Sequence, residues 1–143
     1  MSTSQPWYHD LVQLVERRID LACRLYPDGD RRIVLSNVIR ALHRRADRID
    51  ESSTWLHIAL GAADVDESAA RIAAAMPFEA SQHPSVGDAE DLAEDVSSIS
   101  IPGRRDSPAV TIRTAVHVAW TRFAPELDLH GRALLAAEAA RMA

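Results

Sequence analysis

Residues 31–50 read RRIVLSNVIRALHRRADRID, and the placement of their six arginines decides the fold and narrows the function. Stepped at helical period, Leu35, Val38, Ile39, Leu42, Ala46 and Ile49 fall on one face about 100° wide, the pattern of an amphipathic helix. Arg40, Arg44 and Arg48 recur every four residues and, with Asn37, form a stripe nearly opposite that face. Asp30 precedes the run and supplies a side chain of the type that caps a helix N-terminus. The stretch therefore predicts a helix over Arg31–Asp50, with surface arginines available to a charged partner or to phosphate.

The same reading extends upstream. A helix is expected from Trp7 or Tyr8 to Tyr26, stopped by the turn residues of PDGD. It has two apolar flanks: Leu11, Val12, Val15, Ile19, Ala22 and Tyr26 on one side, Leu14, Leu21 and Leu25 on the other. An apolar arc this wide predicts cover on two sides, by a central place in a bundle or by a second subunit. Arg18 falls between the flanks, where it would snorkel to water or a carboxylate across an interface would pair it. Leu14, Arg18, Leu21 and Leu25 are the candidate interaction surface.

Downstream, Ser52 or Ser53 would cap a short helix over Thr54–Ala63 carrying Trp55, and Asp66 would cap another over Glu67–Met76. Residues 79–108 are rich in Ser, Pro and Gly and predict a flexible acidic connector, with a short helix near Val86–Val96 and extended chain at SISI. Helical period returns at Pro108, where Ile112, Ala115, Val116, Ala119, Trp120 and Phe123 share a face. Pro125 breaks it, and an alanine-rich helix follows over Asp128–Met142. The fold class is all-α: one domain over residues 1–143, a bundle of six or seven helices. Its parts are N-terminal helices (1–78), the connector (79–108) and a C-terminal helical pair (109–143).

Every basic residue is arginine, and charge is unevenly spread. Residues 1–50 and 100–143 each carry +2 and residues 51–99 carry −9, which gives the net −5. An acidic middle between basic ends predicts attraction within or between chains. No run approaches the roughly 18 apolar residues of a membrane span, and the first ten residues do not resemble a signal peptide, so the expected address is cytoplasmic. The single Cys23 suits a small core side chain.

The chemistry-bearing residues form no familiar box. His43 and Asp47 sit four apart, half of a metal site, without a second pair, and His117 reads as a surface residue. His57 beside Trp55 reads as partly buried. There is no nucleophile elbow and no glycine-rich phosphate loop, so neither catalysis nor a cofactor is expected. RRDS at Arg104–Ser107 is similar to a basophilic phosphorylation site. Trp55 and Trp120 are expected in the core, and Trp7 as a staple at the entry to the first helix.

LYPDGDRR (Leu25–Arg32), RID (Arg48–Asp50), Trp55 and AAAMP (Ala73–Pro77) resemble, in order and spacing, bacterial effector-associated domains, small death-like helical modules. The resemblance covers residues 8–78, while the unbroken second helix and residues 79–143 depart from the family pattern. It implies an adaptor built for protein–protein contact. The expected function is thus a non-catalytic interaction module that self-associates. The alternative is a nucleic-acid binder gripping phosphate through Arg40, Arg44 and Arg48, against which stand the net acidity and the lack of interleaved aromatics.

Overall fold

The computed structural model describes residues 6–49, 54–76, 79–99 and 108–142. The expected helices appear in order: α1 (Pro6–Arg24), α2 (Arg31–Ile49), α3 (Thr54–Ala63), α4 (Glu67–Ala74), α5 (Ser85–Ser97), α6 (Pro108–Val118) and α7 (Leu129–Met142). Short 3₁₀ turns lie at Asp28–Asp30, Glu79–Gln82 and Ala124–Glu126, and the described residues contain no strand. None of their helices is long and apolar enough to cross a membrane. Ser52 and Ser53, SISI beyond Ile99, and the Arg104–Ser107 motif lie outside the described residues.

Local chemistry sets the helix ends. Asp66 Oδ1 accepts a hydrogen bond from Ala69 N at 2.7 Å and caps α4, while Asp128 Oδ1 accepts from Gly131 N at 2.7 Å at the start of α7. Helix α3 stops in a Schellman motif: Asp64 takes the left-handed φ of 56°, and Val65 N reaches back to Leu60 O. The half-buried Val65 and Leu60 side chains both pack on the core.

The central element is α2, not α1. It packs on α5 most extensively and also on α6, α7 and α1. Helices α1, α5 and α6 gather on one side of α2, and α3, α4 and α7 on another, with α6 also touching α3. The predicted face of α2 is buried at Leu35, Val38, Ile39, Leu42 and Ala46, but so are Val34, Ser36, Asn37, Ala41 and His43. Asn37, expected on the arginine stripe, sits under α5 and donates to Ser85 Oγ at 2.9 Å. Helix α5 lies inside the stretch expected to be a flexible connector, yet Ala89, Leu92, Ala93 and Val96 belong to the common core.

Trp55 and Trp120 are buried, as expected, and they enclose His43. The ring centroids stand 5.0 and 5.6 Å from the imidazole. The chain forms a π-helical turn at Ala119–Phe123, and from it the Trp120 indole N–H donates to His43 Nε2. An indole nitrogen only donates, so Nε2 accepts and the imidazole proton resides on Nδ1. Neither His43 Nδ1 nor Trp55 Nε1 has a hydrogen-bond partner among the described residues. Burial lowers the His43 pKa to about 3 and keeps the ring neutral. Cys23 is also buried, and burial raises its thiol pKa to about 11. Trp7 lies within the first turn of α1, packed on the core and edge-on to Tyr8.

Candidate interaction surfaces

The arginine stripe meets a carboxylate of α7. Arg40 forks Glu138, with Nε to Oε2 at 2.8 Å and Nη2 to Oε1 at 3.2 Å. Arg44 Nη2 reaches Oε1 of the same residue at 3.2 Å, and Arg141 stands at 3.7 Å. The Arg40 and Glu138 side chains are only 12% and 9% exposed. A bidentate guanidinium–carboxylate pair at that depth orients two helices and leaves Arg40 little access to phosphate. Arg45, on the next turn, donates to Ser97 Oγ at 3.2 Å. Arg48 is exposed and shares a polar cleft with Glu90, Asp91 and Glu94 of α5. A phosphate approaching Arg44 or Arg48 would therefore also meet these carboxylates, which repel it.

The acidic segment is tied down elsewhere. Asp95 pairs with Arg18 of α1, and Asp88 accepts a hydrogen bond from Tyr26, whose phenol pKa that bond raises. Arg122, from the π turn, pairs with Glu16, and Arg31 joins Glu126 at 2.6 Å to Asp20 at 3.2 Å. Of these ion pairs Arg18–Asp95 joins a basic end to the acidic middle, whereas Arg122–Glu16 and Arg31–Glu126 join the two ends to each other. Arg18, expected to seek a carboxylate across an interface, finds one on α5.

The two flanks of α1 part company. Leu11, Val12, Val15, Ile19 and Ala22 are buried, while Leu14 packs half-buried against the core. Leu21 and Leu25 stand out at 54% and 70% exposed. The last turn continues past Arg24 through Leu25 N to Ala22 O, which keeps both leucines, four residues apart, on one helix face. Their charged neighbours Arg17 and Arg24 have no ion-pair partner among the described residues.

A concave surface lies between the start of α2, Met76 with the Glu79–Gln82 turn, and α7. It is a groove of about 480 Å³ floored by Ile33, Ala80, Leu127 and Leu134, with Met76 at one edge. Arg32, Glu79, Asp128 and His130 rim it. Its volume lies within the range of specific binding sites, about 300–1,000 Å³.

One polar cluster has the order of groups found in hydrolases, and the sequence reading did not assemble it. His83 Nδ1 accepts from Ser85 N at 3.2 Å and from the Ser85 hydroxyl at 2.9 Å, so Nε2 carries the proton and faces Asp30 Oδ2 at 3.4 Å. The Ser85 hydroxyl is fully buried and also accepts from Asn37. No substrate reaches it, and the cluster clasps the start of α5 to α2. His57 and His117 are exposed, and among the described residues no group of three His, Cys, Asp or Glu side chains could hold a metal ion. Compared with protein families, curated proteins and solved structures, the chain has no significant match.

Proposed function

We propose that this protein is a non-catalytic interaction module that associates with further copies of itself, as an adaptor does. The observation that carries the reading is the pair Leu21 and Leu25, two large apolar side chains more than half exposed on a helix whose other flank is fully used by the core. Exposed apolar side chains scattered singly are ordinary, but two on successive turns, beside arginines that have no ion-pair partner among the described residues, have the make-up of an interface centre with a polar rim. The likeness of residues 8–78 to death-like adaptor modules supports the same reading. The nucleic-acid alternative loses support from Arg40 and Arg44, whose guanidinium groups are engaged by Glu138.

Light scattering after size exclusion, run over a hundredfold range of concentration, tests the proposal. The mass of the wild type should exceed one chain and rise with concentration, while Leu21→Asp should remain a monomer with an unchanged circular dichroism spectrum. A wild type of single-chain mass throughout the series would refute self-association.

A further inference from the structure

The exposed leucines of α1 and the groove differ in shape. Leu21 and Leu25 stand exposed on α1, and the groove between α2, the Glu79–Gln82 turn and α7 is concave. The chain cannot fill its own groove. Helix α1 is held by its buried flank against α2, α5 and α6, whereas the groove is built from the start of α2 with Met76, the Glu79–Gln82 turn and α7. Charges of both signs border each surface, and those left without an internal partner differ in arrangement. Glu16, Arg17, Asp20 and Arg24 border Leu21; Glu16 and Asp20 are already paired with Arg122 and Arg31, while Arg17 and Arg24 have no internal partner among the described residues. Glu79 and Asp128 border the groove, and Glu79 likewise has no ion-pair partner there. Across the groove stands Arg32, while Asp28 follows Leu25 beyond the end of α1.

We propose that Leu21 and Leu25 of one copy seat in the groove between α2, the Glu79–Gln82 turn and α7 of the next, so that the chain associates head to tail. This rests on the self-association reading above and adds its geometry. In this arrangement Arg17 and Arg24 approach Glu79 and Asp128, and Asp28 approaches Arg32. Such a contact is heterologous, since each copy keeps one leucine face or one groove unused. It grows into rings or open filaments and does not stop at a two-fold dimer. The apolar seat supplies the attraction, and the charged rims fix its direction.

Complementation tests the direction of the contact. Leu25→Asp removes the leucine face and Met76→Asp spoils the groove, both at exposed positions that leave the core intact. Each variant alone should be a monomer by light scattering. Mixed in equal amounts they should form a species of two chain masses that grows no further, because the intact groove of one receives the intact leucines of the other. A second pair, Arg24→Glu with Glu79→Arg, alters only exposed charges. Each member should associate at least threefold more weakly than wild type, and their mixture should recover most of the loss. Failure of both mixtures to associate, while the wild type does, would overturn the head-to-tail contact and leave self-association standing. So would a Met76→Asp variant that associates as the wild type does. A wild type that stays monomeric would overturn both.

Discussion

Acidifying this protein should expose the cost of its buried imidazole. His43 is 1% exposed between two indoles, and burial lowers its pKa to about 3, against 6.5 in model compounds. The unfolded chain therefore binds a proton that the folded chain refuses across the window from pH 6.5 down to 3. Stability then falls as pH falls through that window and is fully present above it. Two of the 3.5 units are spent by pH 4.5, so His43 alone should remove about 2.5 kcal/mol between pH 7 and 4.5, at about 1.36 kcal/mol per unit. Urea unfolding followed by far-ultraviolet circular dichroism at both pH values measures the loss, which includes carboxylate contributions. The His43→Gln variant isolates the imidazole, because its carboxamide oxygen still accepts from Trp120 and does not titrate. The variant should begin less stable, having lost the ring contacts, but lose about 2.5 kcal/mol less than wild type on acidification. Equal losses in the two proteins would show that the neutral buried imidazole is not what makes the fold acid-sensitive.

Other perturbations separate the roles of the remaining parts. Glu138→Gln should lower unfolding stability in urea by about 3 kcal/mol, because it strips the countercharge from the largely buried Arg40. Leu92→Ala should cost about 2–4 kcal/mol by the same assay if α5 is part of the core, whereas a mere connector would tolerate it. Asp64→Gly should add about 0.5–1 kcal/mol, because the left-handed φ of 56° strains a side chain there and not glycine. Cys23 should react with a thiol reagent at pH 8 only at the rate of unfolding, since burial both hides it and raises its pKa to about 11.

The helices were legible because their apolar residues repeat at helical period over long stretches, and because Asp66 and Pro108 mark their starts. The face of α2 was legible in the same way, but the circumference that α2 buries was not. Asn37 is polar, and its burial depends on α5 delivering Ser85 across 48 residues of sequence. The arginine stripe misled for a related reason. Its partner Glu138 lies 98 residues beyond Arg40, inside a run of alanines that contrast too weakly with their neighbours to reveal a face. A lone carboxylate between pairs of alanines on a buried helix was the available signal. The His43–Trp120 bond was hidden as well, since it depends on a π turn at Ala119–Phe123 that shifts the register of α6. The sequence separates Leu14, Leu21 and Leu25 as a second apolar flank of α1, of which Leu14 packs on the core and Leu21 and Leu25 are exposed. The groove could not be foreseen, because its floor is gathered from three distant segments.

The most direct test of the account is a dilution series of amide and methyl nuclear magnetic resonance spectra, recorded from millimolar to micromolar protein. Signals that move with concentration should cluster at Leu21, Leu25, Ile33, Met76 and Leu134, while those of Arg44, Arg48 and Glu90 stay fixed. Movement confined to the arginine face of α2 and the acidic face of α5 would contradict it, and would place the contact between copies on the charges that RRIVLSNVIRALHRRADRID presents.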